Sequence, residues 1–438
     1  MITTPFEAAL NVRAREMADA CVRCGKCVEV CPVVKPAGIE GEPAAVIGGV
    51  LDLVRGGPGE EAGRKWAASC VLSGNCIEAC DYGVNPRFLL AMARVAVAQT
   101  TTDKEAQRRR GVENFRKVSR EVTHLSRLQL DEAMLARLGQ AAAARRPDGE
   151  APDFIFYTGC NVLRTPHIAL LCLDIMDQLG ISYEVMGGPA HCCGVVQLRT
   201  GDTATSGRVA ESALDKMSRS KSGQVISWCP SCYVQFTETT LPTIEKVRGA
   251  RPFEMTPFMH FLCQHLERLR PLLRPLPPMR VALHRHPGVR GVVAAVEELL
   301  RAVPGVTLVD LGVPAVGLQM AQMAAQPALR DALQRRELAA AREAGVDALA
   351  VIYHTDYREL CAHEAALPYR IVNVVEIIAA ALGLSQPDTF KRLKLKQDVD
   401  AILEDCRDLL AQHRLDPQAA REVVAAMLKE QSVPIGAY

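Results

Sequence analysis

Apolar positions recur at helical spacing in residues 7–20, which predicts a helix leading into a cysteine-rich loop. A second helix is expected from Pro86 through Phe88-Leu-Leu-Ala-Met-Ala-Arg94, since proline suits the first helical turn. Residues 100–150 are charged and alanine-rich and read as helices and a linker, with Ala141–Pro147 inside it; the run Gln107-Arg-Arg-Arg-Gly111 reads as a solvated face. From Pro152 the pattern changes. Apolar strands at Asp153–Gly159, Tyr183–Met186 and Gln224–Trp228 alternate with helices at 165–180 and 203–220. Such alternation predicts a parallel sheet.

The same order returns in the second half. Strands are expected at Met279–His284, Val306–Leu311 and Asp347–Tyr353. The strand and helix at Phe253–His260 have a counterpart at Arg370–Ile377. The tail should hold one helix over Gln397–His413 and another from the Asp416-Pro417 cap through Lys429. The most apolar stretch, Ile371–Leu384, is interrupted by Asn373 and Glu376, so no transmembrane span is expected.

Composition narrows the function classes. The 438 residues allow several domains, and the 49% apolar fraction supports real cores. Net charge is +1 with no long basic block, which argues against nucleic acid and against electrostatic docking on a membrane. Sixteen cysteines are far more than packing requires. Met1–Ala20 has no apolar core typical of a signal peptide, so a cytoplasmic setting with metal or redox work is expected rather than disulfides.

The thiols fall into runs. Cys21, Cys24, Cys27 and Cys31 have the spacing C-x2-C-x2-C-x3-C followed by proline, the ferredoxin pattern for cubane clusters. Cys70, Cys76 and Cys80 follow with C-x5-C-x3-C, and Ser73 stands where a further thiol would complete the pattern. In two-cluster ferredoxins the last cysteine of each run crosses to the other cluster. That rule gives a four-thiol site of Cys21, Cys24, Cys27 and Cys80 for a 4Fe-4S cubane. It leaves Cys31, Cys70 and Cys76 for a 3Fe-4S cluster, or a 4Fe-4S cluster completed by Ser73, water or a ligand. The pair resembles the bacterial-ferredoxin domain of the succinate dehydrogenase iron–sulfur subunit, including a Gly-x-Asn-Pro stretch at Gly83–Pro86, though Asp81 replaces the expected proline.

Further along, Cys160, the pair Cys192-Cys193 with Gly194, and Cys229-x2-Cys232 each follow a predicted strand, at the sheet edge where ligands bind in open α/β folds. This constellation resembles the cysteine-rich CCG domain of the heterodisulfide reductase B/D family. The resemblance implies that the five thiols cradle a noncubane 4Fe-4S cluster. Zinc is the alternative occupant, although five thiolates exceed its usual four ligands. Cys172 reads as core, and Cys263, Cys361 and Cys406 receive no role.

In the second half the motif thiols are missing. Ala315-Val316 replaces the cysteine pair, and His354 and Tyr357 are expected at the C-x2-C positions. His284, His286, His354 and Asp356 are expected to be hydrogen-bonded loop residues of a vestigial site, the sharper alternative being a substitute metal or proton-transfer site.

The chain therefore resembles a fused C–B type subunit of the heterodisulfide reductase-like family, a group that serves methanogenesis, sulfur oxidation and the oxidation of glycolate, lactate or glycerol phosphate. The implied fold is multi-domain α+β. A helical ferredoxin-type domain (1–100) and a helical linker (101–151) precede two tandem α/β CCG domains (152–275 and the degenerate 276–385) and a helical tail (386–438). The implied function is electron relay between a flavoprotein or membrane quinone-linked partner and the CCG cluster, in the cytoplasm or at a membrane through that partner. Two alternatives stand beside it. One is catalysis on a disulfide, persulfide or thiol substrate at the CCG cluster, with His191 as acid or base. The other is a zinc-stapled interaction scaffold.

Overall fold

Thr4 opens the first helix, Pro5–Asp19, by accepting the Glu7 N–H while Glu7 reaches back to the Thr4 backbone. The computed structural model describes residues 3–139 and 151–438. The linker residues Ala141–Pro147 lie outside the described residues.

Four helices, Pro5–Asp19, Pro43–Arg55, Glu61–Ser69 and Pro86–Thr101, surround two one-turn helices, Lys26–Glu29 and Asn75–Glu78, that carry the N-terminal cysteines. Val46, Ile47, Val50, Trp66, Leu89 and Leu90 form the core beneath these turns. Asn85 caps Pro86–Thr101 by accepting the Phe88 N–H at 2.9 Å, so the helix starts at the expected proline.

The rest of the chain is built on two four-stranded parallel sheets. The first contains β1 (Phe154–Gly159), β2 (Tyr183–Gly187), β3 (Gln224–Ser227) and β4 (Glu254–Pro257), in the order β2-β1-β3-β4. The second contains β5 (Met279–His284), β6 (Val306–Val309), β7 (Ala348–Val351) and β8 (Arg370–Asn373), in the matching order β6-β5-β7-β8. Identical strand order confirms the repeat seen in the hydrophobic pattern. The sheets do not sit apart. Phe156, Trp228 and Phe258 of the first half share one core with Val281, Val351 and Ile377 of the second.

The helical domain is equally joined. Phe6, Leu10 and Phe88 pack with Ile155, Tyr157 and Val225. Arg87 is buried and ties three segments together. Its guanidinium pairs with Glu238 and donates to the Leu72 carbonyl at 2.9 Å and the Gly288 carbonyl at 2.6 Å.

The tail departs from expectation at one point. Gln397–His413 is two helices, Val399–Asp405 and Arg407–Gln412, broken at Cys406, which is buried in the main core. The last helix, Pro417–Leu428, starts at the expected cap and buries Val423, Val424 and Met427 against that core. Among the described residues no helix is long and apolar enough to cross a membrane.

Candidate iron–sulfur sites

The two N-terminal cysteine loops have the same backbone. Gly25 at φ 80° precedes Lys26–Glu29, and Gly74 at φ 87° precedes Asn75–Glu78; Arg23 and Leu72, two residues before each glycine, are also left-handed. A residue with a Cβ is strained at such φ, so glycine lets the chain wrap tightly enough for three side chains to point inward. With the two glycines aligned, Ser73 falls at the position of Cys24, and Cys80 at that of Cys31.

Cys21, Cys24, Cys27 and Cys80 line one pocket. Burial, reinforced by Cys21 and Cys24, pushes the Cys27 thiol up to about 12. Cys31, Cys70 and Cys76 form a neighbouring group, in which Cys76 feels Cys70 and Cys31 and, from the first group, Cys27. Burial pushes the Cys76 thiol up, while the nearby Arg87 charge works against the rise. The structure thus gathers the thiols in the crossed sets that the spacing predicts. Several thiolates cannot share a buried site unless a cationic centre holds them, and their donor chemistry fits iron–sulfur clusters.

The second group has further partners that spacing does not show. The Trp66 indole N–H donates to Cys31 Sγ at 3.2 Å. Ser73 is buried, and its hydroxyl oxygen accepts the Gly317 backbone N–H at 2.8 Å. Cys24, by contrast, is exposed, with the exposed side chains of Val22 and Tyr82 beside it.

Cys160, Cys192, Cys193, Cys229 and Cys232 converge at the C-terminal edge of β1, β2 and β3. Cys193 is hydrogen-bonded to Cys192 and Cys232, Cys229 to Cys232, and Cys160 lies within electrostatic reach of Cys229 and Cys193. Hydrogen bonds from Cys192 and Cys232 hold Cys193 well below the usual thiol range, while burial pushes Cys160 up to about 12. Gly159, at φ 71°, makes the convergence possible: a Cβ there would lie 2.8 Å from Cys229 Cβ and 3.3 Å from Cys232 Sγ. Cys172, Cys361 and Cys406 are buried in the core, and Cys263 donates to Glu298 at 3.2 Å; none of the four joins the group.

His191 precedes the pair. Its Nδ1 lies 2.8 Å from the Gly187 carbonyl, so that nitrogen carries the proton and Nε2 is the acceptor. Burial lowers its pKa, which favours the neutral ring.

The second half corrects the expected correspondence. Ser227 pairs with Pro257 and Val351 with Asn373, each the last rung of its ladder. Cys229 and Tyr353 are then equivalent, each immediately preceding a helix, Pro230–Val234 and His354–Leu360. Asp356, rather than Tyr357, therefore stands at the position of Cys232. His354 instead accepts the Trp228 indole N–H at 3.2 Å between the two halves, and the Tyr357 hydroxyl donates to Asp388. Spacing counted from the strand pattern was one residue out, because a strand's last residue is set by pairing and not by its apolar run.

A cavity of about 340 Å³ separates the second N-terminal group from the CCG group; Cys70, Arg87, Arg94, Arg199, Ser231 and Glu238 are on its wall. Arg199 lies within electrostatic reach of Cys193, Cys229 and Cys232.

Fold and thiol groups together define an iron–sulfur protein of the oxidoreductase class, in which a dicluster ferredoxin-type domain is fused to a CCG domain. Comparison with known proteins agrees: residues 17–84 match the family of 4Fe-4S dicluster domains, and residues 154–237 match the cysteine-rich CCG domain family. The chain is homologous to the D-type polypeptide of the dihydromethanophenazine:CoB–CoM heterodisulfide reductase of Methanosarcina barkeri (strain Fusaro), with 23% identity over 249 residues, covering 53% of this chain and 60% of that relative. It is a heterodisulfide reductase-like iron–sulfur protein, and it spans less than two thirds of that relative's length. No solved structure matches it.

Proposed function

We propose that this chain is an electron-relaying subunit of a heterodisulfide reductase-like complex. The thiolates of Cys21, Cys24, Cys27 and Cys80 would hold one cubane cluster. Those of Cys31, Cys70 and Cys76, with Ser73, would hold a second cluster of three or four irons. The five CCG thiolates would hold a noncubane cluster. Bound there, these groups supply one-electron redox chemistry.

The observation that carries the proposal is the serial order of the thiol groups. The first is exposed at Cys24. The second has Cys27 on one side and, on the other, the cavity that Cys70 shares with Ser231 and Arg199. Arg87, fixed to all three parts of the fold, places a positive charge beside Cys76 and Cys70. The exposed Val22 and Tyr82 offer an apolar rim at the entry edge for a flavoprotein or quinone-linked partner. Docking there would bring the chain to a membrane through its partner and leave it otherwise cytoplasmic.

Anaerobic iron and sulfide analysis with low-temperature EPR tests the ligand sets. About 11 or 12 irons per chain are expected, depending on the second group. Cys193→Ala should remove about four of these and the CCG signal while the N-terminal signals persist. Loss of all signals together, or of none, would reject the assignment.

A second reading is favoured by the cavity itself. Arg87, Arg94 and Arg199 suit an anionic disulfide or persulfide beside the CCG thiols. Two electrons and two protons would convert a disulfide to two thiols, and His191 could pass protons from bulk water through Nε2. Turnover of small disulfides by the reconstituted chain, weakened in His191→Gln, supports catalysis; reduction of the clusters without turnover supports relay alone.

A further inference from the structure

We propose that the degenerate second CCG domain holds a mononuclear divalent metal ion, of the zinc class, on His284, His286 and Asp356. This site lies in the other half of the repeat from the five CCG thiols and needs none of them.

The three side chains are fully or almost fully buried, and one ligand atom of each lies within 4.8 Å of the other two. His284 Nδ1 is engaged by Glu337 at 2.5 Å, and His286 Nδ1 by the Val316 carbonyl at 2.6 Å. Those partners take the Nδ1 protons and leave both Nε2 atoms as the ligating nitrogens. The two Nε2 atoms face each other at 3.0 Å, and Asp356 Oδ2 lies 3.6 Å from that of His286. Two nitrogens bound to one tetrahedral ion at about 2.0 Å each would be separated by a little over 3 Å.

Outer-shell support of this kind, a carboxylate on one imidazole and a backbone carbonyl on the other, is what metal-ligating histidines require. Asp356 supplies the independent sign. Its Oδ1 accepts the Met320 N–H at 2.6 Å, which fixes the carboxylate, while Oδ2 is buried with no hydrogen-bond partner. A proton shared between the imidazoles would satisfy both rings and still leave Oδ2 orphaned; a cation satisfies all three.

Donor chemistry sets the class of ion. Two imidazoles and a carboxylate without sulfur suit zinc or ferrous iron over an iron–sulfur cluster. A cavity of about 30 Å³ bordered by His284, His286, Met320 and Glu337 gives room for a water as a fourth ligand. Asp356 occupies the place of Cys232 in the repeat, so the second half keeps a ligand where the first has one and changes its hardness. The ion would pin the loops after β5 and β6, which also cover the second N-terminal thiol group through Gly288 and Gly317.

The test is zinc titration of the full chain with its clusters reconstituted, zinc being expected to displace any ferrous iron. About one zinc per chain should bind, and zinc-edge X-ray absorption should show only nitrogen and oxygen neighbours near 2.0–2.1 Å. Asp356→Ala and His286→Gln should abolish that uptake while iron, sulfide and the cluster EPR signals stay at wild-type levels. Glu337→Gln keeps all three ligands and disturbs the core least; it should weaken zinc binding about 10-fold or more. No zinc uptake by the wild-type chain, sulfur neighbours near 2.3 Å, or affinities unchanged in all three variants would overturn the proposal.

Discussion

The Ser73 hydroxyl oxygen accepts the backbone N–H of Gly317 at 2.8 Å. One residue stands where a ferredoxin-type loop lacks its thiol; the other belongs to the turn that has lost its cysteine pair in the second half. The two altered motifs are in direct contact, with Leu318 N–H also donating to the Val71 carbonyl at 3.0 Å. The second thiol group is thereby covered by the degenerate half and not by solvent.

Ser73→Cys should complete a four-thiol site. Its backbone position is that of Cys24, so the new sulfur points into the group and remains near the Gly317 N–H. If the native site holds three irons, iron should rise by about one per chain and the three-iron EPR signal should disappear. Unchanged iron and spectra would show that the native site already holds four.

Trp66→Phe should lower the reduction potential of the cluster assigned to Cys31, Cys70 and Cys76. An N–H aimed at a ligand sulfur stabilises the more negative, reduced state. A hydrogen bond of this kind contributes about 1 kcal/mol, equivalent to about 40 mV for one electron. Potentiometric EPR titration reads the shift, and an unchanged potential would refute the role of the indole.

Gly159→Ala should abolish the CCG cluster with the N-terminal clusters kept. The added methyl meets Cys229 Cβ at 2.8 Å, and the φ of 71° is strained for alanine. Iron should fall by about four per chain. Retention of the CCG signal would mean that the β1 edge has more freedom than these contacts allow.

Glu430→Gln should destabilise the fold in a pH-dependent way. Burial opposes the Glu430 charge, but Arg358, Arg164 and Lys394 prevail and hold its carboxyl at about 2. A depressed folded-state pKa means that the stabilisation is complete above the unfolded value near 4.5 and is lost as pH falls towards 2. The variant should lose up to about 3 kcal/mol at pH 7, with a smaller deficit at pH 3.5. Anaerobic denaturant melts at the two pH values measure this; an equal deficit at both would reject the electrostatic account.

Cysteine spacing and strand alternation were sufficient for the crossed thiol sets, the five-thiol convergence and the duplicated sheet, because ligand loops and strand periods are local and leave their mark on consecutive residues. The structure alone decided which distant segments meet. Trp66 on Cys31, Gly317 on Ser73, Arg87 between three segments and Asp356 in the place of Cys232 all depend on packing between parts of the chain with no shared period. Even the one-residue error at His354 has this origin: an apolar run shows that a strand exists, but only its neighbours in the sheet determine where it stops and which side chain arrives at the edge.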